Sequence, residues 1–170
     1  MLHHFDAGDI LNFLNPKFFY VGASYDRHEC QLGRFFRDGI WENGFVKWIE
    51  EDPSRRTSTT DLYERYMQKI EKGDILLVKR LNGQGSQNMR VLAIGIALGK
   101  NLDKTVRVAW VIQDLNIEMP LQCVGTISTF YNFNSCDIGH TLPDVLKNWV
   151  TKAQSKFLRL NLRIEDRYYT

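Results

Sequence analysis

No apolar run in this chain reaches the roughly 18 residues that a helix needs to cross a bilayer. The opening residues, Met1-Leu2-His3-His4-Phe5-Asp6, lack a basic stretch followed by an apolar one, so no secretory signal pattern is present. Cysteine is sparse: Cys30, Cys123 and Cys136 are odd in number and widely spaced. Such a set does not describe a disulfide framework and suits reduced thiols in a cytosol, so a cytoplasmic location is expected. Charge of one sign is also scarce. The formal net charge of +2 is too small to announce nucleic-acid binding by itself. Arginines do gather locally, as Arg55-Arg56, as Arg27, Arg34 and Arg37, and as Arg159, Arg163 and Arg167. Each cluster reads first as solvated surface.

Catalytic and cofactor motifs are missing in the same way. There is no GxxxxGK[ST], and Gly83-Gln84-Gly85 sits in a turn that opens no helix, so no phosphate cradle is predicted. Cys136 and His140 have metal-compatible spacing, and His28 with Cys30 is a similar coincidence, but no second pair completes a zinc site. No G-x-S-x-G elbow occurs. Glu50-Glu51-Asp52 form an acidic cluster without a further carboxylate aimed at them. The expectation is a protein with no catalytic residue, no cofactor and no metal.

What is present suits one domain over residues 1–170. The chain is 44% hydrophobic and 25% charged, enough to bury a core without staples. A short helix is predicted over 6–14, ended by Pro16. Residues 18–24 read as a buried strand. Asp26 with Glu29 resembles a capping box, opening a helix that carries Leu32, Phe35 and Phe36 and closes at Gly39. Gly33 inside it signals close packing or a weak helix. Residues 45–58 read as an exposed loop. A second helix is predicted from Thr59-Thr60-Asp61 to Gly73, with Leu62, Tyr66 and Ile70 on one face.

The period then changes to that of strands. Asp74 to Arg80, Met89 to Leu98, the alternating Val106-Val108-Trp110 segment, and Leu121 to Phe130 are predicted strands. Turns are expected at Asn82–Ser86 and Asn101–Lys104. Thr141 with Asp144 marks a last helix, striped by Leu142, Val145, Leu146 and Trp149. Leu158, Leu160, Leu162 and Ile164 alternate as a final strand would. Meander strands with helices segregated outside them predict an α+β domain around a small bent or closed sheet.

The most informative stretch is Phe18-Phe19-Tyr20-Val21-Gly22-Ala23-Ser24-Tyr25, followed by Gly39-Ile40-Trp41-Glu42-Asn43-Gly44. A strand ends in small residues, a helix turns back, and a tryptophan arrives between two glycines. That arrangement can set an aromatic face beside a strand end, where a flat ligand such as an extruded nucleobase would stack. The plainer reading is a core tryptophan. Trp110 and Trp149 read as core from their alternation and stripe.

Phe19 to Tyr25, with Gln31-Leu32-Gly33-Arg34-Phe35-Phe36-Arg37-Asp38-Gly39-Ile40-Trp41-Glu42-Asn43-Gly44, resembles the EVE-like N-terminal domain of McrB-type, modification-dependent restriction systems. Lys72-Gly73-Asp74 before a hydrophobic strand and Gly125-Thr126-Ile127 extend that resemblance over roughly 18–127. A looser one links Phe18-Phe19, the glycine before Trp41, and Val106-Arg107-Val108-Ala109-Trp110-Val111 to the YTH readers of N6-methyladenine. Both families share the PUA-like superfold, so the resemblance implies a small bent β-barrel with flanking helices and a pocket for one modified base. It implies Trp41 as a cage wall, and Gly22, Ala23 and Ser24, with Tyr25 adjacent, at the base edge. The YTH pattern takes another ring from the segment matching Gly99–Thr105, which has none here. Tyr25, Trp48 or Tyr131 would then supply the opposite wall. No motor domain follows, so the chain reads as a recognition module, free-standing or part of a larger polypeptide, whose partners would include a AAA+ GTPase motor and a nuclease subunit.

On this reading a modified DNA base is flipped into the pocket. Ser24 and Asn43 can donate and accept, Glu42 can accept from an exocyclic amine, and Arg27, Arg55 and Arg56 would hold phosphates. If the Glu42 carboxylate faces the pocket, cytosine is the better guess; if it faces solvent, adenine is equally open. Truncating Trp41 would then abolish binding with the fold retained. Alternatives are an RNA-binding module of the same superfold, a nuclease or base hydrolase built on it, and a protein-interaction domain whose aromatics are plain core.

Overall fold

The computed structural model describes residues 5–25, 29–82, 86–120, 136–139 and 142–165. The predicted Leu121–Phe130 strand, Tyr131, Thr141, Asp26 and Arg27 lie outside them, as does Gly125-Thr126-Ile127.

Capping sets the first helix, α1 (Ala7–Leu14). The Asp6 carboxylate accepts from the Asp9 N–H at 2.8 Å, and Asp9 reciprocates at the Asp6 N–H, so two orphan donors are satisfied together. Asn15 ends the helix because the following Pro16 disfavours the helical region at the residue before it. Strand β1 (Phe18–Val21) follows, then a two-stranded ribbon of β2 (Ser24–Tyr25) and β3 (Glu29–Cys30). This ribbon corrects the capping-box reading. Glu29 pairs with Tyr25 across it, and helix α2 (Leu32–Asp38) begins after Gln31. Gly39 closes α2 as expected, at φ 63°, a left-handed conformation that glycine adopts without steric cost. Of the two readings of Gly33, close packing is excluded: among the described residues, nothing lies within 4 Å of where its Cβ would stand.

The predicted loop over 45–58 is instead mostly helical. After β4 (Ile40–Trp41) come α3 (Gly44–Glu51) and a single 3₁₀ turn, Pro53–Arg55. Val46 and Ile49, three apart and both buried, give α3 its inner face; the charged Lys47, Glu50 and Glu51 masked that period. Helix α4 (Ser58–Gln68) starts one residue earlier than expected, on a Thr57–Thr60 capping box. Its inward side is Tyr63 and Met67, with Ile70 buried just past its end, instead of Leu62, Tyr66 and Ile70. Gly73, at φ 96°, belongs to the turn into β5 and does not end the helix.

Strands β5 (Ile75–Leu81), β6 (Asn88–Lys100), β7 (Val106–Ile112), β8 (Ile117–Pro120) and β9 (Cys136–Gly139) complete one sheet in the order β4-β7-β6-β5-β1-β9, with β8 also on β6. Only β1 and β5 run parallel among these pairs. The long β6 serves β7 with one end and β8 with the other, and register shifts at Ile94/Gly95 and Ala97/Gly99 bend it. Gly95 is required at this bend: a Cβ there would sit 2.3 Å from Val108 Cγ1 and 2.7 Å from the Trp110 ring. The result is an α+β architecture with a curled, half-barrel mixed sheet. Among the described residues its end strands, β4 and β9, do not pair to close it.

Both faces of the sheet are covered, which is why β1 and residues 75–78 of β5 read as unbroken apolar runs. One face joins Tyr20, Ile75, Leu77 and Ile96 to α1 and to helix α5 (Asp144–Glu165). The other joins Phe19, Val21, Leu76 and Val78 to α2, α3 and α4. In helix α5 three of the four expected stripe residues meet the core, Leu146 buried and Leu142 and Trp149 packed against it, while Val145 is half exposed and the buried stripe runs on through Val150, Ala153 and Phe157. The segment read as a final strand is overturned: it continues the helix without a Gly or Pro to stop it. No described helix is long and apolar enough to cross a membrane.

Candidate functional site

Trp41 does not line an open cavity. Its side chain has 0% exposed surface and packs in the core with Phe19, Phe35, Val46 and Val108. Its indole N–H donates to the Gly22 carbonyl at 2.9 Å. A buried indole needs that acceptor, and the strand end of small residues supplies it. Gly22 and Ala23 therefore act through their backbones: Gly22 holds the indole, and the Ala23 carbonyl accepts from the Gln31 N–H at 2.6 Å. Ser24 is exposed on β2. The backbones of Tyr25 and Trp48 lie in β2 and α3, and their side chains are outside the described set. The expected phosphate contacts at Arg55 and Arg56 are engaged within the chain. Arg55 pairs with Asp52, and Arg56 bridges Asp61 at 2.7 Å and Glu64 at 3.0 Å.

The two residues after Trp41 meet the expectation of pocket polar groups better. Glu42 is 8% exposed and Asn43 1%. Both line a hollow of about 130 Å³ between α3, α4 and the β6–β7 loop. That is close to the ~150 Å³ cavities that hold one benzene-sized ring. Strand β4 presents them, and the indole beneath anchors β4; Trp41 is a positioning residue for this site. The Glu42 carboxylate is held by the Arg34 guanidinium and lies 3.6 Å from the Lys47 ammonium. Asn43 turns its amide oxygen to the Val46 N–H at 3.4 Å, capping the first turn of α3. Met67 and Val46 give the hollow its apolar surface.

The opposite wall is Asp103, Lys104 and Thr105. This is the segment from which the YTH resemblance implies a second ring, and here it brings charge and hydroxyl instead. The loop is internally braced. The Thr105 hydroxyl donates to Asp103 at 2.7 Å and accepts from the Asn101 amide at 2.8 Å. Thr105 holds the Asp103 carboxyl below its ordinary pKa, chiefly through that hydroxyl bond. Lys104, at φ 59°, reaches Glu64 at 2.8 Å and Glu50 at 3.2 Å, tying the loop to α4 and α3. Sequence reading missed Lys47, Asp103, Lys104 and Thr105, because nothing local marks them. Among the described residues no group of three or more His, Cys, Asp or Glu side chains is placed to hold a metal ion.

The brace carries a pH dependence. The Lys104 ammonium bonded to Glu64, followed by its charge and that of Arg56, lowers the Glu64 pKa below 4.5 against a smaller opposing effect of burial. Stability from this group is therefore full above about 4.5 and is lost as pH falls through the lower folded value. Glu64→Gln should shrink the acid-side loss of stability, by at most about 1 kcal/mol since Lys104 is half exposed. Urea midpoints between neutral pH and pH ~3 measure it; an unchanged acid limb would refute the linkage.

No known protein family, curated protein or solved structure matches this chain.

Proposed function

We propose that this chain is a nucleic-acid recognition domain of PUA-like, EVE-related type, which draws one modified base into the hollow beside Glu42 and Asn43, with DNA preferred over RNA. The observation that carries the reading is a ring-sized hollow walled by two buried polar side chains that follow directly on β4, within the segment that carries the resemblance. A McrB-type setting, with a motor and a nuclease as partners, follows from the same resemblance.

The energetics differ from a two-ring cage. Extrusion of a base costs a few kcal/mol. Met67 sulfur against a ring contributes ~0.3–1.5 kcal/mol, and burying one methyl adds about 0.8. Most of the offset must come from the polar edge, where a hydrogen bond to a charged group is worth ~1.5–3 kcal/mol. A carboxylate has capacity for about four hydrogen bonds, and an exocyclic amine is a donor it can accept from. That chemistry favours cytosine.

The test is equilibrium binding to methylated, hydroxymethylated and unmodified DNA duplexes and to RNA. A modified duplex should bind best, and Glu42→Gln, near-isosteric and checked for its unfolding midpoint, should weaken it by about tenfold. Failure of the whole panel to bind, or a folded Glu42→Gln protein with full affinity, would sink the reading. Preference for RNA would select the alternative polymer.

A further inference from the structure

Leu102 is the outlier among the described apolar side chains. It is wholly exposed, at the tip of the β6–β7 loop, immediately before the three loop residues that wall the hollow. Flexibility does not explain it, since the loop is tightly bonded. The Asn101 N–H donates to the Thr105 carbonyl at 2.8 Å, and the Lys104 N–H returns to the Asn101 carbonyl at 3.2 Å. The Thr105 N–H and hydroxyl both bond Asp103, and Lys104 clamps the whole to Glu50 and Glu64. A braced loop that holds one aliphatic group out in water, beside a hollow, has already lost the conformational entropy that insertion would otherwise cost.

We propose that Leu102 is the wedge that enters a duplex and occupies the gap left by the base drawn into the hollow. The inference rests on the function proposed above. The chemistry requires such a group: an extruded base leaves two unstacked neighbours, and apolar side chains including leucine fill such steps in other duplex-bending proteins. One loop would then do both jobs, with Asp103 to Thr105 facing the extracted base and Leu102 facing the stack it left. The ligand class is a base-paired duplex, and a single strand has no gap to fill.

The experiment compares the full chain with Leu102→Ala on two probes, the best-bound modified duplex of the panel and its modified strand alone. Because Leu102 packs on nothing, the variant should fold like the parent. Duplex affinity should fall about tenfold, equivalent to about 1.4 kcal/mol, while single-strand affinity stays within about twofold. Leu102→Phe should retain duplex binding. With 2-aminopurine as the neighbour of the modified target base, the fluorescence rise on duplex binding should be lost in Leu102→Ala. Unchanged duplex binding, or equal losses on both probes, would overturn the wedge and leave the hollow standing. Absence of parent binding to either probe would overturn the base-reading function and the wedge with it, as would capture of a protein partner through Leu102 in place of nucleic acid.

Discussion

Trp41→Ala is expected to unfold the protein or bring it to the edge of unfolding. The indole is fully buried against both the sheet and α2, so truncation leaves a large cavity among Phe19, Phe35, Val46 and Val108. Removing a core tryptophan costs about 3–5 kcal/mol. The Gly22 carbonyl also loses its donor at 2.9 Å, adding about 1–3 kcal/mol if no water replaces it. Against a typical domain stability of roughly 5–15 kcal/mol this is decisive. Trp41→Phe separates the two contributions, since it keeps most of the volume and loses the hydrogen bond. Chemical denaturation of both variants measures the effect. A Trp41→Ala protein as stable as its parent, with binding alone abolished, would return the indole to the cage-wall role that the resemblance implied.

Asp74→Ala should cost about 3–5 kcal/mol, from the buried donors it leaves unpaired. Asp74 has no exposed surface and collects three N–H donors: the Asn12 amide at 3.1 Å, the Lys17 backbone at 3.0 Å and the Glu71 backbone at 2.7 Å. The Lys17 ammonium stands 3.7 Å away. These bonds pin α1 and the turn after α4 to the start of β5. Removing the carboxylate orphans the Lys17 and Glu71 N–H groups and leaves the Asn12 amide with only the Lys72 carbonyl, at 2.8 Å, while Asp74→Asn, which turns an amide group toward one of the donors, should cost about 1–3 kcal/mol. Burial is the largest influence on this carboxyl and raises its pKa above 3.8, against the lowering by its N–H donors. The native state thus keeps that proton to higher pH than the unfolded chain. The associated stability is present below 3.8 and fades as pH rises through the raised value, opposite in sign to the Glu64 contribution. Urea midpoints of the two variants and the parent, at neutral and acidic pH, test this; two wild-type-like midpoints would show that the buried carboxylate ties nothing together.

The contrast between these two residues shows what was legible. Trp41 stood out in the sequence because a tryptophan between glycines is conspicuous, yet conspicuousness says nothing about which way the ring points. Asp74 was hidden as the first polar residue of a strand, and its importance comes from donors on α1 and on the turn after α4. Glu42 and Asn43 were found as candidates by adjacency to Trp41. Their partners across the hollow, Asp103 to Thr105, lie far along the chain and meet them only when β7 pairs with β4.

By itself the sequence determined the elements whose signals are local. Asp6 and Pro16 bound α1, Gly39 ends α2, and the apolar run that opens β5 and the alternation in β7 declare strands. Caps, breakers and periodicity act within a few residues, so they can be read without the fold. Only the tertiary structure decided that α3 is a helix, that α5 continues through its leucine-rich end, that both sheet faces are covered, and that Trp41 is sealed while the residues after it border a hollow. Burial is a property of what packs on a surface from elsewhere in the chain. The same apolar side chain is core or cavity wall according to neighbours that its own segment does not specify.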